Sequence, residues 1–111
     1  MLLQYMAANN VKLPDLQMVV CGGSAMPRSM IKAFLDMGTQ VRHAWGMTET
    51  SPIGTMGAPS WNWDELSFEQ QVDQVCKQGK VPYGVELRVV DDEGRVQPRD
   101  GKSSGRLQVR G

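Results

Sequence analysis

The spacing of apolar side chains along this 111-residue chain changes several times, and each change predicts an element. Residues 1–8 read as the end of a helix, with Asn9-Asn10 as its stop. Leu16-Gln17-Met18-Val19-Val20-Cys21 is a mostly apolar run that halts at Gly22-Gly23, which predicts a buried strand. Pro27 suits the first position of a helix, and Met30, Ile31, Phe34 and Leu35 then form one apolar stripe at helical spacing. Gly38 falls where the glycine after a helix belongs, and Val41 to Trp45 reads as a second strand. Strand, glycine turn, helix and strand make a βαβ unit, so these two strands should be parallel.

A turn at Thr48–Ser51 leads into a loop holding Gly54, Gly57, Pro59 and Trp61-Asn62-Trp63. A helix follows from about Asp64 to Gln78, with Phe68, Val72, Val75 and Cys76 on one face, and Gly79 ends it. The period then becomes two. Val85 to Val90 alternates, Asp92-Glu93-Gly94 makes a turn, and Leu107-Gln108-Val109 alternates again. The predicted fold class is α/β, with the βαβ part of a parallel sheet over 1–84 and an antiparallel β segment over 85–111. Gly111 directly follows a strand, which reads as a cut and not as a natural end.

Composition narrows the function classes. Acidic and basic residues number 12 each and are dispersed, so nothing resembles a nucleic-acid-binding stripe. The apolar runs fall far short of a bilayer span, and Met1-Leu2-Leu3-Gln4-Tyr5 lacks the basic flank of a signal peptide. Cys21 and Cys76 have no metal-site spacing and read as reduced thiols in a cytoplasmic protein. The eight methionines read as adaptable core filling.

Two runs carry chemistry. Gly22-Gly23-Ser24-Ala25-Met26-Pro27 follows the first strand, and His43-Ala44-Trp45-Gly46-Met47-Thr48-Glu49-Thr50 spans the end of the second. Ligands of open α/β sheets gather at the carboxyl ends of parallel strands, so both runs should face one crevice. The glycine pair would let backbone approach a flat ring, and the helix beginning at Pro27 would point its positive end there. Trp45 offers a stacking surface, Gly46 space, Thr48 a donor to phosphate and Glu49 an oxygen ligand for Mg²⁺. Each has a plainer reading: a tight turn at Gly22-Gly23, Thr48 capping a short helix, and Trp45 in the core. His43, the only histidine, invites a general-base role, but a satisfied structural histidine on an alternating strand is the stronger reading. Ser24 does not fit the G-x-S-x-G elbow, and no spacing supports a Cys/His pair through Cys21 or Cys76.

At these residues the chain resembles the adenylate-forming superfamily of acyl-CoA synthetases, luciferases and peptide-synthetase adenylation domains. That family carries a GG(S/A)-x-(M/L)-P run and, one helix and one strand later, an aromatic-G-x-T-E motif; here they read Gly22 to Pro27 and Trp45 to Glu49. Gly79-Lys80-Val81-Pro82-Tyr83-Gly84-Val85-Glu86-Leu87 resembles the family's passage into its β-barrel, and Gly105 to Gly111 its G-E-L-x-V-R-G strand. The resemblance covers nearly the whole chain, and HAWGMTETSP looks most like medium- and long-chain fatty-acyl-CoA ligases. One departure is Arg106 in place of the family's glutamate.

The resemblance implies that ATP and a fatty acid form an acyl-adenylate, from which coenzyme A displaces AMP. Gly23, Ser24 and Ala25 would line the adenine and acyl site. Trp45 would stack on adenine, Gly46 and Met47 would border the acyl chain, Thr48 would contact the α-phosphate and Glu49 would ligate Mg²⁺. The family's phosphate loop, ribose-binding aspartate and C-terminal lid domain with its catalytic lysine have no counterpart here. The expectation is therefore an internal piece of a ligase roughly four to five times as long, inactive alone and prone to self-association through exposed edges. Two rival readings are a stand-alone nucleotide-binding or regulatory module and a hydrolase using Ser24 or Cys21 with His43.

Overall fold

Apolar stripes and strand ends close around one small core in the computed structural model, which describes residues 2–111. The elements in chain order are α1 (Leu2–Asn9), β1 (Met18–Gly22), α2 (Arg28–Asp36), β2 (Gln40–Trp45), β3 (Thr55–Met56), α3 (Phe68–Val75), β4 (Glu86–Val90) and β5 (Arg106–Arg110). Helix α1 ends as expected: Asn10 turns into the left-handed region at φ 49°, and the Val11 amide closes back on Met6 O at 3.0 Å. Met1, the first residue of that expected helix, lies outside the described residues.

Strands β1 and β2 are parallel, with Val19 opposite Val41 and Cys21 opposite His43. Helix α2 makes the right-length crossover for such a pair. Its end is a two-bond cap in which Gly38 N donates to Leu35 O and Thr39 N to Phe34 O, satisfying carbonyls the helix leaves free. Thr39 is buried, and its hydroxyl donates to Leu16 O, tying the chain before β1 to the start of β2. Pro27 occupies the cap position, one residue ahead of the helix it was expected to start.

Helices α2 and α3 pack on one face of the sheet. The core is Ile31, Phe34, Val41, Val72 and Val75, flanked by Leu3, Leu16, Val19, Met26, Leu35 and Trp63. Arg28 and Lys32 on α2 reach Glu69 and Asp73 on α3, so the apolar seam carries an ionic clasp on its wet side. The opposite face of the sheet is open. β1 was expected to be buried, yet Met18 and Val20 are 41% and 53% exposed, because both helices lie on the Val19–Cys21 side of this edge strand.

Two further boundaries differ from the sequence reading. The loop after β2 contains β3, which pairs antiparallel with β2 through Ala44–Met56 and Trp45–Thr55. Helix α3 starts at Phe68 and not near Asp64, because Ser67 and Gln70 form a reciprocal capping box that fixes the start. Beyond α3 the chain forms the expected antiparallel ladder, with Leu87 opposite Val109 and Val89 opposite Leu107. Asp91 organises the turn between them, accepting from the Glu93 and Arg95 amides and from the side chains of Arg95 and Gln97. Arg106 opens β5 opposite Val90 and is exposed; nothing in its surroundings explains the departure from the family pattern.

Candidate functional site

Both unusual runs sit at the carboxyl ends of the parallel strands, and they meet. Gly23, Ser24 and Ala25 leave β1 and face Ala44, Trp45 and Gly46 at the end of β2 across a cleft of about 230 Å³, closed on a third side by Gln78. That volume lies below the roughly 300–1,000 Å³ of sites that enclose a drug-sized ligand. It suits one flat ring better than a whole adenylate.

The turn after Trp45 holds its shape by folding onto itself. Gly54 N donates to Trp45 O at 2.8 Å, and Met47 N donates to the Thr50 hydroxyl at 2.8 Å. That hydroxyl lies 2.9 Å from Met47 O and 2.6 Å from Pro52 O, and its single proton can serve one of them at a time. The loop leaves no room at two positions. A Cβ on Gly46 would fall 1.6 Å from Pro52 O, and a Cβ on Gly54 would fall 2.4 Å from the Trp45 ring. Gly54 therefore acts as a floor for the indole, fixing the ring beside the cleft.

His43 is 2% exposed and has no freedom to act as a base. Its Nε2 accepts the Met26 N–H at 2.9 Å, and its Nδ1 lies 2.7 Å from Val75 O, so the ring carries its proton on Nδ1 and donates it there. One side chain thereby pins the Gly22–Pro27 turn and the end of α3 to β2. No ring nitrogen is left for Ser24 or Cys21, whose thiol instead donates to Ser24 O at 3.3 Å. The geometry disposes of the hydrolase reading.

The remaining expected residues lie apart from the small cleft. Met47 and Glu49 border a wider opening of about 760 Å³, shared with Thr50, Tyr83 and Arg110, and Thr48 borders neither. Thr48 to Thr50 form one 3₁₀ turn on which Met47 holds the capping position, so Thr48 is not the cap of a helix. Glu49 is exposed, and among the described residues no group of three or more His, Cys, Asp or Glu side chains converges on a metal-sized point. A lone exposed carboxylate still fits Mg²⁺, which commonly takes one or two protein carboxylates and completes its shell with phosphate and water.

The whole chain, residues 1–111, matches the model of a family described as AMP-binding enzyme. The chain belongs to the AMP-binding enzyme family. It is 49% identical over 99% of its length to the medium-chain-fatty-acid–CoA ligase of Ectopseudomonas oleovorans, of which it covers 20%. It is 44% identical to the 3-methylmercaptopropionyl-CoA ligase of Ruegeria lacuscaerulensis and 40% to the long-chain-fatty-acid–CoA ligase of Thermus thermophilus; both alignments take in 99% of this chain, and 21% and 20% of those proteins. Among solved structures it is similar to McyG A-PCP complexed with phenylalanyl-adenylate, at 26% identity and a TM-score of 0.71 over 99% of this chain and 18% of that one. The chain thus spans about a fifth of the length of the curated relatives it matches.

Within this AMP-binding segment, the structure joins Gly23–Ala25 to Trp45–Gly46 and separates them from Met47 and Glu49. Gln78 and Thr50 were not anticipated. Nothing local marks Gln78, because the helix preceding it was expected to run through it. Thr50 had a signal in its place within the turn, but its latching role depends on where Pro52 returns. Among the described residues no helix is long and apolar enough to cross a membrane.

Proposed function

We propose that this chain is part of an ATP-dependent fatty acid–CoA ligase and supplies the adenine side of its active site. The observation that carries the reading is the cleft between Gly23–Ala25 and Trp45–Gly46, in a chain of the AMP-binding family. The ligase names of the curated relatives support the reaction class. Adenine would lie in the cleft against the Trp45 indole, with the glycine-bearing turn giving backbone contact. Met47 would border the acyl chain across the strand end. Thr48 would donate to the α-phosphate.

Bound Mg²⁺ would offset phosphate charge as the carboxylate attacks, and Glu49 would be its protein ligand. Coenzyme A would then displace AMP to give the thioester. Residues 1–84 form the nucleotide half in this scheme, and 85–111 lead into a barrel subdomain; the cytoplasm is the proposed location. The phosphate-binding loop and the catalytic lysine would come from other parts of the parent protein.

Exchanging this chain for the matching fifth of the Ectopseudomonas oleovorans ligase should preserve fatty-acid-dependent pyrophosphate release. Trp45→Ala in that exchange should raise KM for ATP. Release indifferent to Trp45→Ala would overturn the adenine placement. The isolated chain should show no turnover, and clear turnover would overturn its assignment as a fragment. Tight AMP binding by the isolated chain would favour the stand-alone module instead.

A further inference from the structure

Stacking and glycine contacts hold a base without telling one base from another, since every base presents a π-face. Discrimination by a side chain needs one that meets the ring edge with a donor and an acceptor together. Of the residues around the small cleft, Gly23, Ala25, Ala44 and Gly46 offer only backbone and methyl groups, Trp45 a ring, and Ser24 a single hydroxyl. Gln78 is the exception.

Its position is fixed by backbone contacts that leave its side chain free. Gln78 O accepts the Thr55 hydroxyl proton at 2.7 Å. The next residue, Gly79, lies so close to the Met56 carbonyl that a Cβ would fall 2.1 Å from its oxygen. Met56 and Lys80 then exchange backbone hydrogen bonds of 2.9 and 3.0 Å. Gln78 is thus stapled to β3 through its main chain, while its carboxamide makes no hydrogen bond to the described residues. A carboxamide free of intramolecular partners, on a main chain held beside a ring-sized cleft, can turn to offer its C=O to the adenine N6 amine and its N–H to N7.

We propose that Gln78 is the base-reading residue of the site, pairing through its carboxamide with the N6/N7 edge of adenine and disfavouring guanine, which presents two acceptors, O6 and N7, on that edge. This rests on the proposed placement of adenine against Trp45. Its test is an NMR titration of the exchanged ligase described above, labelled at its tryptophan indoles and glutamine side-chain amides, with AMP and with GMP, for the native segment and for Gln78→Leu. AMP should shift the Trp45 indole and the Gln78 side-chain amide together. GMP should shift Trp45 without the matching Gln78 response. The AMP-over-GMP preference should be about fivefold or more and should collapse in Gln78→Leu. A Trp45 response to AMP with an unmoved Gln78 amide, or a Gln78→Leu variant that weakens both nucleotides alike, would overturn this inference and leave the proposed function standing. An unmoved Trp45 would overturn both.

Discussion

Gly46 and Gly54 show how a motif residue can be demanded by the fold as much as by a ligand. The space that suggested room for a substrate at Gly46 is filled by the Pro52 carbonyl, and the Trp45 ring rests on Gly54. Gly46→Ala should therefore destabilise the chain by about 1–3 kcal/mol, the usual cost of overpacking, measured as a lower midpoint in urea. An unchanged midpoint would mean the turn relaxes freely. His43→Ala should cost more, about 3 kcal/mol or above, because it strands the Met26 N–H and the Val75 carbonyl and opens a cavity under the site. Trp45 and the two glycine runs were legible as a site because their residue types are rare together. The contacts of His43 and Gln78 were not legible because their partners lie in distant segments, whereas Thr50 latches onto nearby Met47 and Pro52 through a turn geometry that residue types do not announce.

Between elements, the junction of α2 and α3 carries a stability that changes with pH. Lys32, and then Arg28, hold the Glu69 carboxyl below its ordinary 4.5. A carboxylate with a depressed folded value stabilises the fold above the unfolded value, and the contribution disappears as pH falls through the folded one. Stability should thus decline as pH drops below about 4.5, and Glu69→Gln should flatten that limb. Because these groups are exposed, high salt should flatten it too; a salt-independent limb would assign it elsewhere. Ser67→Ala should remove about 1 kcal/mol by unmaking the cap of α3. Helical spacing located α2 and α3 but misjudged the start of α3, where a local side-chain cap decides. β3 escaped notice for another reason: a two-residue strand has no period and exists only through its neighbours.

The molecule as a whole exposes more surface than its mass warrants. Its 8337 Å² exceeds the about 6,100 Å² expected of a folded monomer of 12.3 kDa. Its radius of gyration of 16.5 Å exceeds the expected value of about 13 Å. The open sheet face with Met18 and Val20 contributes, as does β5, exposed along its whole length, and Arg42 Nε is buried without a partner among the described residues. Parallel strands are almost always covered on both faces, so an uncovered pair invites association. Light scattering should show the isolated chain assembling as its concentration rises, and Val20→Lys should shift it toward monomer. A native chain that stays monomeric throughout would refute this.

By itself the sequence determined the order of the three helices and of four of the five strands, the parallel βαβ unit, the antiparallel tail and the two runs that form the cleft. These follow from local periods, glycine punctuation and residue chemistry, all of which act over a few positions. Tertiary structure alone decided that β1 is half open, that the structural histidine His43 braces Met26 and Val75, that Gly46 faces a carbonyl, and that Gln78 completes the cleft. Each of those depends on which distant backbone arrives alongside, and spacing along a chain does not encode that approach.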